Sequence, residues 1–115
     1  MTASVFSQII RGDIPADRIY EDDLCIVIND VQPRAPTHVL LIPKEPIPRL
    51  VDALPAHREL LGHLMLVAGK VATELGVGDA FRLVINNGEG AGQTVFHLHM
   101  HILAEKTFTE EQLGM

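Results

Sequence analysis

The chain has little cysteine, no clustered basic charge and no long apolar run. Cys25 is the single cysteine among 115 residues. No internal disulfide can form, and there is no cysteine pair for a structural zinc site. The nine Lys and Arg are scattered along the chain against fifteen Asp and Glu, for a net charge of −6. No basic stripe results, so a nucleic acid polymer is a poor partner; a small anion held by local dipoles stays compatible. No apolar run approaches the ~18 residues of a membrane span, so no membrane partner is expected. The start, MTASVFSQIIRGD, lacks a basic segment followed by an apolar one and a small-residue cleavage site. Cytoplasm is the expected compartment. Repeats and low-complexity segments are also missing.

What is present suits an ordinary globular domain, 47% hydrophobic and 21% charged. The length predicts one domain, residues 1–115, around one core. Residues 4–11, SVFSQIIR, read as a short helix that Ser4 can cap, with Val5, Ile9 and Phe6 sharing a face. Strands are expected over 18–22 and 24–29, around an Asp22-Asp23 turn, and over HVLLIPK after the proline-interrupted QPRAPTH. Further strands are expected over 81–86 and 95–103, on either side of the glycine-rich NGEGAGQT. Residues 55–75 read as a long helix, with Pro55 in its first turn and Gly76 with Gly78 at its end.

That long helix is too apolar for one stripe. Leu61, Leu64, Met65, Ala68, Ala72 and Leu75 form one face, and Leu60, Val67 and Val71 a second. It needs two surfaces to bury against. One is its own sheet; the other is expected to be a second copy of the chain, packed by twofold symmetry. Strands in hairpin order without a βαβ rhythm give an α+β fold with an antiparallel sheet.

The chemistry concentrates in HLHMHI, where His97, His99 and His101 alternate with Leu98, Met100 and Ile102. On a strand the three histidines share one face. Phe96, Leu98, Met100 and Ile102 then face the long helix. Same-face Cβ atoms lie ~6.7 Å apart, so the outer histidines are ~13 Å apart on an extended strand. Two histidine arms reaching one zinc ion through Nε2 cover only about 11 Å. All three cannot close on one ion without bending the strand. Two could, with His38 from a neighbouring strand, but no Cys, Asp or Glu stands beside the triad in sequence to complete a tetrahedral set. Adventitious zinc is the metal expectation.

A nucleophile fits better. Imidazole attacks when neutral and donates a proton when charged, and its ordinary pKa of ~6.5 keeps both forms in reach. A central histidine between two others has acid–base help on both sides. Upstream, EGAGQTV lets backbone N–H groups approach an anion, with Gln93 and Thr94 adding donors. Elsewhere plainer readings hold. His57 and His63, on the long helix, read as surface or interface residues. Cys25 reads as core, Asn86-Asn87-Gly88 as a turn, and Asp30 either as a turn residue or a ligand contact.

The run His97-Leu98-His99-Met100-His101-Ile102-Leu103 resembles the His-φ-His-φ-His-φ-φ motif of the histidine triad (HIT) family. FSQIIRGDIPADRIYEDD, NDVQPRAPTHVLLIPK, LLGHLMLVAGKVATELG and RLVINNGEGAGQTVFHLHMHIL each resemble segments of its Hint branch, the purine nucleoside phosphoramidate hydrolases. The likeness spans roughly residues 4–103, leaving 104–115 as a divergent tail. It implies a HIT-like fold, a five-stranded antiparallel sheet with one long and one short helix. It implies a homodimer paired through the long helix and the last strand into a ten-stranded sheet. It also implies metal-free hydrolysis at the α-phosphorus of an AMP-type nucleotide through a nucleotidyl-histidine.

Carried over residue by residue, the resemblance makes His99 the nucleophile, His97 a support for its ring, and His101 a group near the phosphate and leaving group. His38 becomes the fourth histidine behind the triad. Asn86, Gly92, Gln93 and Thr94 become phosphate and leaving-group contacts, and Asp30 the acceptor for ribose hydroxyls. Val5, Phe6, Ile9, Ile28 and Val31 would line an apolar base pocket. Two departures bear on substrate. Thr94 stands where the Hint branch usually has Ser, and the diadenosine polyphosphate hydrolases also favour Thr there. The tail lacks the tryptophan of many Hint proteins. A dinucleoside polyphosphate hydrolase and a non-catalytic nucleotide-binding module stay open as alternatives.

Overall fold

The computed structural model describes residues 3–112. Helix α1 (Val5–Ile10) starts where the Ser4 side chain accepts from the Ser7 N–H. Strands β1 (Arg18–Glu21) and β2 (Cys25–Asn29) form a hairpin. Its turn is set by Asp22, whose Oδ1 accepts from the Leu24 and Cys25 N–H groups at 2.8 and 2.9 Å. Next come β3 (Thr37–Pro43), α2 (Arg58–Glu74), β4 (Phe81–Val84) and β5 (Met100–Ala104). All neighbouring strands are antiparallel, in the order β1-β2-β3-β5-β4. This is the five-stranded antiparallel sheet with one long helix that the sequence implies.

The central strands are buried on both faces, which divides the expected single core in two. Cys25, Val27, Val39, Leu41, Met100 and Ile102 pack with Leu64, Val67, Ala68 and Val71 of α2. Ile26, Ile28, Leu40 and Ile42 pack on the opposite face with Phe6 and Ile9 of α1. The period of two along β2 and β3 thus feeds both layers, while β5 adds Met100 and Ile102 to the α2 layer.

Several expectations need correction. The last strand begins at Met100, not 95, and residues 95–97 form a bend. Pro43 is the reason: it has no N–H to extend the β3–β5 ladder, and its carbonyl is taken by His97 Nε2 at 2.7 Å. Phe96 consequently points outward at 48% exposure, whereas Met100 and Ile102 do pack on α2. The long helix starts at Arg58, because residues 55–57 form a 3-10 turn in which His57 Nδ1 accepts from the Leu54 N–H. His57 therefore lies outside α2. On α2 Met65 is exposed rather than core and Leu66 is 77% exposed, and Leu75, just past the end of α2, is exposed too. The strand expected at a subunit junction, β5, lies between β3 and β4 with both edges used; the free edges belong to β1 and β4.

Candidate active site

His97 precedes β5, His99 directly abuts it, and His101 lies within it. Each ring nitrogen's role follows from its partner. A carbonyl only accepts, so His97 Nε2 donates to Pro43 O. His97 Nδ1 then faces Ser4 Oγ and Ser7 Oγ at 3.3 and 3.2 Å as an acceptor. By the same argument His99 Nδ1 donates to the His97 carbonyl at 2.8 Å. The lone pair of His99 is thereby forced onto Nε2. No described residue bonds that nitrogen, and every fully buried side-chain nitrogen or oxygen among the described residues has a partner, so Nε2 reaches solvent.

A second chain of bonds fixes His101. The Arg34 N–H donates to His38 Nδ1 at 2.9 Å. His38 then carries its hydrogen on Nε2, which donates to His101 Nδ1 at 2.8 Å. His101 in turn holds a hydrogen on Nε2. The His99 and His101 ring centroids lie 5.1 Å apart. A bare nitrogen and an N–H donor thus sit side by side.

The environment keeps these rings neutral. Burial lowers the pKa of His38, His97 and His99. His101 falls to about 4, through burial first and then the neighbouring His99 and His38, with Asp30 opposing. Phe6 lies edge-on to His99 at 5.0 Å and excludes water from that side.

The other expected site residues divide. Asp30 Oδ2 stands 3.3 Å from His38 Nε2 and 4.0 Å from His101 Nδ1. A carboxylate does therefore flank the triad, contrary to the sequence expectation, because β2 and β3 are hairpin neighbours. Asp30 Oδ1 accepts from the Gln32 N–H, so the turn reading also holds. Asp30, His38 and His101 come close enough together to hold a metal ion. The donor set fits one poorly: while Arg34 occupies His38 Nδ1, His38 Nε2 carries hydrogen and has no lone pair to give.

The glycine-rich loop is less open than expected. The N–H groups of Ala91, Gly92 and Gln93 donate inward to Gly88, Glu89 and Gly88 carbonyls. The Gln93 side chain, 2% exposed, donates to Pro48 O and Val95 O and accepts from the Gly88 N–H. It staples the loop and has no donor left for a ligand. Gly92 adopts φ 95°, which explains the glycine. Among the described residues no protein partner occupies the side chains of Asn86 and Thr94, so these are the loop's unspent polar groups. Of the expected base-pocket residues Phe6, Ile9 and Ile28 are buried together. Val5 and Val31 are 41% and 94% exposed, so they stand outside that packed cluster.

Sequence reasoning missed the roles of Ser4 and Ser7 toward His97, the Arg34 amide and the Pro43 carbonyl. Only Ser4 left a signal, as a helix cap. It also missed that His63 Nε2 pairs with Asp22 Oδ2 at 2.7 Å, which Tyr20 Oη also reaches at 2.8 Å. Cys25 Sγ lies 3.5 Å from Asp22 Oδ1, and burial, then Asp22, pushes its thiol up to about 12. A shallow cavity of about 380 Å³ past the end of α2, lined by Gly76, Asp79, Glu105 and Lys106 among others, holds none of the expected site residues.

Fold and site together define an α+β protein with four histidines gathered on one side of its sheet. A model of the HIT domain matches residues 11–108. The chain belongs to the HIT family. It is 60% identical over 106 residues to an uncharacterised HIT-like protein of Synechocystis, covering 92% of this chain and 93% of that one. It is 44% identical over 101 residues to the purine nucleoside phosphoramidase of Escherichia coli, covering 87% and 85%, consistent with the Hint branch. A HIT family hydrolase from Clostridium thermocellum superposes with TM-score 0.92 at 39% identity, covering 98% and 99% of the two chains.

Proposed function

We propose that this chain is a hydrolase cleaving purine nucleoside phosphoramidates, or related nucleotidyl conjugates, at the α-phosphorus. The observation that carries this reading is the His99 ring, held by the His97 carbonyl so that an unshared Nε2 lone pair faces solvent. The 44%-identical phosphoramidase supports the substrate class.

In this reading His99 Nε2 attacks phosphorus, a P–N bond to His99 forms, and the P–N bond to the leaving amine breaks. The departing amine takes its proton from solvent, while the neutral His101 Nε2–H donates a hydrogen bond to the reacting phosphoryl group. Water then attacks the nucleotidyl-His99, loses a proton to solvent, and releases the nucleoside monophosphate with His99 Nε2 free again. Thr94 and Asn86 donate to the phosphate. Asp30 accepts from ribose hydroxyls, and Phe6, Ile9 and Ile28 supply an apolar wall for the base with Val5 and Val31 at its rim. The balance closes without a metal, so no cofactor is required. The protein acts in the cytoplasm. It works as a homodimer, which would cover exposed Met65 and Leu66 of α2 and extend the sheet from the free β4 edge.

Turnover of an adenosine phosphoramidate in excess chelator tests this. Full activity is expected, with a nucleotide trapped on His99 in rapidly quenched samples. Activity lost in chelator and restored by one metal would overturn the metal-free mechanism. A protein that binds AMP without turnover would overturn the substrate assignment.

A further inference from the structure

His97 belongs to the alternating triad, yet both of its nitrogens face the protein. Its ring is 1% exposed, and Nε2 is committed to the Pro43 carbonyl. That leaves a bare Nδ1 lone pair in the interior. Two hydroxyls face it, Ser7 Oγ at 3.2 Å and Ser4 Oγ at 3.3 Å. Ser4 caps α1 and Ser7 lies in its first turn. Ser4 Oγ already accepts the Ser7 N–H, which leaves its own hydrogen free to turn toward Nδ1. Ser7 Oγ takes no part in the cap. Between them in sequence, Phe6 lies edge-on to the rings of His97 and His99, at 6.2 and 5.0 Å.

The backbone completes the connection. The His97 carbonyl receives the His99 Nδ1–H, so the position of His97 sets the aim of His99 Nε2. Hydroxyls, ring, carbonyl and nucleophile form one unbroken series.

We infer that Ser4 and Ser7 are positioning residues for His99: their hydroxyls donate to His97 Nδ1, lock that ring in its Nε2–H form against Pro43, and so fix the carbonyl that orients the nucleophile. Losing the hydroxyls leaves a buried acceptor unpaired, which the ring relieves by shifting or by taking up a proton. Either response moves the carbonyl. The kinetic side of this inference rests on the proposed hydrolysis; the tautomer side does not.

Ser7→Ala is the sharpest variant, since the Ser4 cap survives it. Nitrogen-15 spectra of the imidazoles and steady-state kinetics with an adenosine phosphoramidate are measured together. In wild type His97 Nδ1 should resonate as a hydrogen-bonded acceptor. In Ser7→Ala that resonance moves. The kcat falls about tenfold, as expected for a displaced reacting group, and KM stays within about twofold because substrate contacts are intact. The double variant Ser4→Ala/Ser7→Ala shows a larger loss, and Ser7→Thr, which keeps the hydroxyl, restores both readouts. Unchanged kcat and unchanged His97 resonances in the double variant would overturn the inference. So would a kcat loss with unmoved His97 resonances, because the serines would then act elsewhere. Should wild type fail to turn over the phosphoramidate, the hydrolase reading falls, and the His97 resonances of the double variant alone decide whether the serines set its tautomer.

Discussion

Two clusters built around an aspartate and a histidine sit in this fold. One is Asp30 with His38 and His101; the other is Asp22 with His63 and Cys25. Both bring an aspartate within hydrogen-bonding or near-bonding range of histidine. They differ in what is left over. Asp22 has both oxygens filled, by Leu24 and Cys25 amides, Tyr20 Oη and His63 Nε2. Its carboxyl is pushed up by burial, but the bonds from Leu24, His63, Tyr20 and Cys25 outweigh this and hold it well below the ordinary carboxylate range. That group ties the β1–β2 turn to α2. Around Asp30 the bonds instead run outward, from Arg34 through His38 to His101, and they end on an N–H with no protein partner. Unspent bonding capacity, rather than residue type, separates a site from a strut.

The largest expected effect breaks the comparison at its reactive end. His99→Ala should lower turnover by at least about 10³-fold, since a nucleophile has no substitute nearby. Thermal melting should fall as well, because the buried ring packs on Phe6 and its Nδ1–H bonds the His97 carbonyl, so turnover is compared per folded molecule. Loss of activity below about tenfold would remove His99 as the nucleophile. Next in size is Asp22→Ala at the structural end. It strands two backbone N–H groups and the Tyr20 hydroxyl, and should destabilise folding by about 3 kcal/mol in urea titrations. The specific activity of the molecules that remain folded should match wild type. A variant of full stability and reduced activity would reverse the two roles.

How far these roles could be read in advance depends on the range of the contacts. The alternation of His97, His99 and His101 with apolar residues placed the histidines on one face and Met100 with Ile102 on the other, against the long helix, because a period of two is local. The late start of β5 was hidden, since it depends on Pro43 and His97 meeting across 54 residues. Gln93 looked like a ligand donor because its burial against Pro48 O is likewise tertiary. Asp30 beside His38 was a matter of β2–β3 register, where Asn29 opposes Val39. The partners of His97 followed the same pattern: cap chemistry marked Ser4, but nothing local pointed it at a ring 93 residues away.

The smallest expected effect separates the clusters by pH. His101 has a folded pKa of about 4, below its ordinary 6.5. The unfolded chain therefore binds the proton first as pH falls. The stability held in the neutral ring is intact above the unfolded value of 6.5 and is lost progressively toward 4. His101 alone should remove roughly 2 kcal/mol between about pH 7 and pH 5, and His38, His97 and His99 shift in the same direction. Asp22 behaves oppositely. Its folded pKa is depressed, so its contribution is present above the ordinary 3.8 and is lost only as pH falls below it. Urea midpoints measured down through this range should fall in two stages, the histidine stage first. His101→Asn should shrink the upper stage while leaving the lower one, and Asp22→Ala should remove the lower stage while leaving the upper. A single stage near pH 4, with no loss between 6.5 and 5, would mean that the triad histidines titrate in the folded protein as they do in the open chain.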